Sequence, residues 1–101
     1  MAELNEIIHQ PVRLRIMAVL VTLGPDEEVN FTYLRNLLEV TDGNLGAHVR
    51  KLEASGFINV NKLFVERKPR TFISASSKGR KIFDEHVAAL KSILDNTGSE
   101  S

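Results

Sequence analysis

Cysteine is absent from the 101 residues. That excludes a disulfide framework, a thiolate zinc site and a cysteine nucleophile, and it suits a reducing cytoplasm. Long apolar runs are missing too. The longest, Ile16 to Val21, falls far short of the roughly 18 residues that span a bilayer. The first residues, Met1-Ala2-Glu3-Leu4, lack the basic-then-apolar order of a secretory signal. The reading is a soluble, cytoplasmic chain without a membrane partner. There is no glycine-rich phosphate loop and no nucleophile elbow, and nothing places Ser, His and Asp together, so neither an enzyme nor a cofactor is expected. Repeats, linkers and low-complexity tracts are also lacking. The length suits one domain with one core, predicted over 1–95, with a small polar tail over 96–101.

Net charge is zero, with 13 Lys and Arg against 13 Asp and Glu, but the charges are segregated. Before Thr41, acids outnumber the bases Arg13, Arg15 and Arg35. From Thr41 to Lys81, nine bases (Arg50, Lys51, Lys62, Arg67, Lys68, Arg70, Lys78, Arg80, Lys81) face only Asp42, Glu53 and Glu66, leaving +6. After that, Lys91 stands alone against Asp84, Glu85, Asp95 and Glu100. A basic middle between acidic ends is an electrostatic footprint for a polyanion. The same pattern would also suit a solvated surface.

The apolar periodicity predicts four helices and a hairpin. A helical pattern starts at Leu4, Ile7 and Ile8, and Pro11 opens a first turn. Residues Val12 to Leu23 are apolar nearly all round, so this helix is buried on more than one face and needs a second helix or a second subunit. Gly24-Pro25-Asp26 stops it. Thr32 caps a short helix with the stripe Leu34, Leu37, Leu38. After Val40-Thr41-Asp42-Gly43, a further helix carries Leu45, Val49 and Leu52, capped by Thr41 or Asp42 and stopped by Gly56. Two short helices on a tight turn make a helix-turn-helix. Ile58, Val60 and Phe64 alternate with Asn59 and Asn61 as in a half-buried strand. Glu66 to Arg70 reads as a polar hairpin tip, and Thr71 to Ala75 returns. Ser76 or Ser77 caps a last helix with the stripe Ile82, Phe83, Val87, Leu90, Ile93, Leu94.

That order places the chemistry. An α-helix fits the major groove of B-DNA, and its early residues meet base edges. The second helix of the motif offers Thr41, Asp42, Gly43, Asn44, Gly46, Ala47, His48, Arg50 and Lys51 outside its apolar stripe. The small residues permit close approach, Asn44 can pair with adenine, His48 and Arg50 can reach bases or phosphates, and Lys51 suits the backbone. Two glycines weaken a helix by roughly 1 kcal/mol each relative to alanine, and a purely structural helix gains nothing from that. In the hairpin, Lys62, Arg67, Lys68 and Arg70 can lie on phosphates or enter the minor groove. The alternative is an edge hairpin kept soluble by charge.

These stretches, above all Thr41-Asp42-Gly43-Asn44-Leu45 followed by His48-Val49-Arg50-Lys51-Leu52-Glu53, resemble the winged helix-turn-helix regulators of the broad MarR/ArsR group. Pro11 to Ile16, Phe31 to Leu38, Ser55 to Ile58, Pro69-Arg70-Thr71 and Lys78-Gly79-Arg80 extend the likeness over about Leu4 to Leu94. The resemblance implies a mainly α (α+β) winged helix with a two-stranded wing. It makes the helix from Asp42 the recognition helix and Arg67 to Arg70 the wing tip. It also implies a homodimer joined through the terminal helices, at Leu4, Ile7, Ile8, Val12, Ile16, Phe83, Val87, Leu90, Ile93 and Leu94. The expected function is a sequence-specific regulator of double-stranded DNA, acting as a repressor on a palindromic operator, with room for a small-molecule effector between the first and last helices. The alternative is a protein-interaction module within a larger assembly. ArsR-type relatives sense metals through an Asp-x-His pair, and Asp84 and His86 match one. The second pair would fall near Thr97 and Glu100, neither a histidine, so no metal site is expected and Asp84-Glu85-His86 reads as a solvated face. His9 reads as a lone histidine at a helix start or dimer contact.

Overall fold

The computed structural model describes residues 4–25 and 27–98. Asp26, named in the predicted stop, and the 99–101 end of the predicted tail lie outside the described residues. The chain runs α1 (Pro11–Thr22), β1 (Val29–Asn30), α2 (Phe31–Leu38), α3 (Asp42–Ala54), β2 (Ile58–Val65), β3 (Lys68–Ala75) and α4 (Ser77–Gly98).

The helical pattern expected from Leu4 forms only one turn. The Asn5 side chain accepts from the backbone N–H groups of Ile7 and Ile8 at 2.9 and 3.1 Å, and His9 N–H returns to the Asn5 carbonyl. Helix α1 then starts afresh at Pro11, whose missing N–H would be an orphan there in any case, with the Gln10 side chain accepting from Arg13 N–H. Caps elsewhere follow the same logic. Asn30, rather than Thr32, caps α2 by accepting from Thr32 and Tyr33 N–H. Thr41 caps α3 through Asn44 N–H, and Ser76 caps α4 through Gly79 N–H. Helix α2 ends at Glu39, which adopts a left-handed φ of 56° where glycine would be at ease. Helix α4 continues through Gly98, into the segment predicted as a tail, because no proline interrupts Asp95 to Gly98.

The sheet has three strands in the order β1-β3-β2. The sequence predicts two. β1 adds Val29 opposite Ile73 and Asn30 opposite Phe72, and two residues are too few to show an alternation. The core lies between α1, the helix-turn-helix and the body of this sheet, with Ile16, Met17, Leu20, Leu34, Leu45, Leu52 and Ile73 at zero exposure. Ile8 and Ile16 belong to it. Both were expected at a dimer surface, but each is enclosed by its own chain and neither can meet a partner.

Two arginines hold helix ends, and a third ties the first turn to α3. Arg80 on α4 reaches the carbonyls of Leu20, Val21, Leu23 and Gly24 at 3.0–3.5 Å, supplying donors and positive charge where α1 leaves acceptors orphaned. Arg15 donates to Leu38 O at the end of α2. Arg13 donates through Nε to Ile7 O and through Nη1 to His48 Nδ1. Arg80 therefore leaves the basic footprint counted in the sequence.

Gly79 sets how closely α4 approaches the sheet. A Cβ there would stand 1.9 Å from the Phe57 carbonyl oxygen, a rigid backbone atom. Gly79→Ala is expected to destabilise the fold by at least about 3 kcal/mol, read by urea denaturation. A loss below about 1 kcal/mol would contradict this packing.

Candidate nucleic-acid interface

Helix α3 buries Leu45, Val49 and Leu52, spaced i, i+4, i+7 along one stripe. Its other faces carry Thr41, Asp42, Gly43, Asn44, Ala47, Arg50 and Lys51, all exposed. A Cβ on Gly43 would meet nothing within 4 Å, so this glycine is not required by the fold. Gly46 lies under the Arg50 guanidinium, whose Nη1 would be 3.3 Å from an added Cβ. Asp42 pairs with Arg35 of α2 at 2.8 Å, tying the two helices together at a solvated pair worth about 0–1 kcal/mol.

His48 differs from its neighbours. It is half-buried, and its Nδ1 accepts from Arg13 Nη1 at 3.1 Å. The ring hydrogen therefore sits on Nε2. Burial, and secondarily the Arg13 charge, hold its pKa below the usual histidine value, so near neutral pH it is an uncharged donor and not a cation for phosphate.

The hairpin leaves the body after Val60. Every residue from Asn61 to Arg70 is exposed, and with the long α4 it stretches the molecule to 58 Å against 25 and 21 Å. Phe64, expected to be half-buried, is 79% exposed, because the strand runs beyond the helices that would cover it. The turn is tighter than predicted. Val65 pairs with Lys68, which leaves a two-residue loop of Glu66 and Arg67 at φ 53° and 66°. This hairpin turn requires positive φ at both positions and favours Asn-Gly. A side chain bearing Cβ costs about 1 kcal/mol at each. Pro69 and Arg70 lie within β3 and not at the tip.

Strand register assigns the faces. Partners across antiparallel strands share a side, and sides alternate along each strand. Ile58 and Ala75 face the core. Val60, Lys62 and Thr71 line a cleft of about 310 Å³ against α3, with Asp42, Gly46, Arg50 and Glu53 on its opposite wall. Phe64 and its partner Pro69 continue this inner face toward the tip. Arg70, opposite Leu63, and Lys68, opposite Val65, lie on the outer face. Arg50 and Lys62 thus converge, Arg67 caps the tip, and Lys68 and Arg70 flank the outer side.

Among the terminal residues expected at a dimer surface, Val87, Ile93 and Leu94 are 43–68% exposed, while Leu4, Ile7, Val12, Phe83 and Leu90 are half-buried. A second, more apolar concavity of about 360 Å³ is lined by Ala18, Val19, Leu23, Val29, Tyr33 and Leu37, with Thr22. It lies over α1, β1 and α2, away from the α1–α4 side where an effector was expected.

His86 corrects the expected solvated face. Asp84 and Glu85 are exposed, but His86 is buried, because residues two apart on a helix point to nearly opposite sides. Its Nδ1 accepts from Asn5 N–H at 3.1 Å, so the ring hydrogen on Nε2 donates to His9 Nδ1 at 3.4 Å. His9 is therefore paired with α4 and not alone. Among the described residues, no group of three His, Asp or Glu side chains could hold a metal ion, and no helix is long and apolar enough to cross a membrane.

A helix-turn-helix with a projecting β-hairpin beside its second helix is the architecture of a winged helix. The chain belongs to the winged helix DNA-binding domain family, which matches residues 12–94. It is 34% identical over 91 residues to an uncharacterized protein of Methanocaldococcus jannaschii, covering 90% of this chain and 96% of that protein. It is similar to the structure of a transcriptional regulator homologue from Pyrococcus horikoshii, at 31% identity and a TM-score of 0.83 over 92% of this chain and 89% of that one. The transcriptional regulator BldR from Sulfolobus solfataricus shares the fold at 23% identity and a TM-score of 0.67, over 91% of this chain and 63% of that one. The structural neighbours are regulators of the MarR, ArsR and PadR kinds, a non-enzymatic group. The protein is a winged-helix DNA-binding protein of the transcriptional-regulator type.

Burial, and then the neighbouring His9, keep the His86 pKa below the ordinary histidine value. Protonation would put a hydrogen on Nδ1, facing the Asn5 N–H. The unfolded chain takes up this proton near pH 6.5, the folded chain only at lower pH, so this contribution is full above about 6.5 and lost as pH falls toward the folded pKa. Thermal denaturation from pH 8 to pH 5 is expected to show stability falling below about 6.5, less steeply in His86→Gln. The remaining decline has the same sign and belongs to His48. An identical decline in both proteins would contradict the assignment.

Proposed function

We propose that the protein is a sequence-specific repressor that binds a palindromic operator as a homodimer. The observation that carries the DNA contact is the convergence of Arg50 and Lys62 across the cleft between α3 and the hairpin, next to an α3 face of small residues. In this reading Thr41, Asn44, Gly43 and Ala47 approach base edges in the major groove. Arg50, Lys51 and Lys62 neutralise phosphates, and His48 serves as a neutral donor from its Nε2. Asp42 acts through Arg35 to fix the start of α3. The wing lies along the adjacent minor groove, led by Arg67. An arginine at a position where glycine would relieve strain supports a role for that side chain.

Dimerisation follows from the apolar stripe of α4. Val87, Leu90 and Leu94 lie on its outer half, spaced i, i+3, i+7, and Leu94 is 68% exposed. A second copy of the helix covers such a stripe. Phe83, four residues before Val87, continues the stripe by helical spacing. Occupancy of an operator is sufficient for repression, whereas activation needs a further contact surface.

Binding to duplex DNA, followed by fluorescence anisotropy over a salt series, tests the phosphate roles. The logarithm of affinity is expected to fall linearly with that of salt, by about 0.9 for each neutralised phosphate. Lys62→Ala and Arg67→Ala should each reduce the slope by about 1 and weaken binding to all sequences alike, while Asn44→Ala should change sequence preference. A flat salt dependence, or the same behaviour in both sets, would contradict these assignments.

A further inference from the structure

The wing carries a feature that phosphate contact does not use. Leu63, Phe64 and Val65 are 44%, 79% and 44% exposed, an apolar run at the far end of a hairpin that also bears Lys62, Arg67, Lys68 and Arg70. An exposed phenylalanine on a projecting hairpin gains nothing from burial in its own fold. By register, Phe64 and its cross-strand partner Pro69 stand on the face shared with Val60, Lys62 and Thr71, which looks toward α3. The aromatic ring and the pyrrolidine ring thus form one apolar projection on the side where α3 offers its small residues.

We infer that Phe64, backed by Pro69, is an apolar wedge that enters the minor groove and opens a base step of the bound duplex. This rests on the placement of α3 and the wing on DNA proposed above. Apolar side chains that enter the minor groove partly unstack a step and bend the duplex, and pyrimidine–purine steps yield most readily. The charges around the wedge select the partner. Four cations lie within the hairpin against the single acid Glu66, so the apolar surface is presented within a field that attracts a polyanion. Proline cannot donate a ladder hydrogen bond and stiffens its strand, which suits a fixed backing for the ring. The wedge gives sequence preference through deformability, independently of any base hydrogen bond from α3.

The test uses a short duplex of repeated TA steps carrying 2-aminopurine, whose fluorescence rises when its base unstacks. Binding of the unaltered protein is expected to raise the fluorescence severalfold. Phe64→Ala should abolish that rise and weaken binding about tenfold, with melting temperature and salt slope unchanged because the ring is exposed. Phe64→Leu, which keeps an apolar side chain, should retain part of the rise. Binding without any rise, or an equal rise and affinity in Phe64→Ala, would overturn the wedge while leaving the DNA placement intact. Absence of binding by the unaltered protein would overturn the placement and the wedge with it.

Discussion

The Gly56–Phe57 backbone is the point on which the rest of the structure depends. Phe57 N–H donates to Leu52 O at the end of α3, and Phe57 O accepts from Ser76 N–H at 3.0 Å, where β3 gives way to α4. Ser76 Oγ reaches Gly56 O at 2.6 Å, Gly79 rests against the same Phe57 carbonyl, and Gly56 takes a φ of +79° to make the turn. The end of α3, the start of β2, the end of β3 and the start of α4 therefore share one small rigid junction. Helix α3, the β2–β3 hairpin and α4 are three arms fixed at one hub. Such close packing transmits position with little give.

The arginines extend that rigidity through the helices. Arg80, one residue after the glycine that admits α4, closes the end of α1, and Arg15 on α1 closes the end of α2. The ends of α1 and α2 are thus held by the next layer instead of by solvent, so α2 cannot shift against α1 without breaking charge-assisted hydrogen bonds, which are stronger than neutral ones. Charge counted in a sequence is thus an upper bound on charge available to DNA.

Much of this arrangement was legible in the sequence. The stripes Leu34/Leu38 and Leu45/Val49/Leu52 give the two helices of the motif, Gly56 its stop, and the small and basic residues of α3 their exposure, because local periodicity and capping decide these features. Other features depend on partners far away in the chain. β1 exists only because β3 offers it an edge. Ile8 and Ile16 read as surplus apolar residues fit for a dimer, but the chain's own core encloses them. His86 sits in an acidic run and turns inward to Asn5 and His9, a contact spanning 81 residues. The sequence also signals Phe64 as a strand residue but does not say that the hairpin outruns its cover.

The rigid hub makes a definite demand on DNA. If two copies join through α4, both recognition helices stand at one fixed separation, and their half-sites must do so too. Selection of bound duplexes from a random pool measures this directly. The account predicts an enriched motif with two-fold symmetry and a single half-site spacing of about one helical turn. Enrichment of isolated half-sites, of half-sites at variable spacing, or of no motif at all would contradict it.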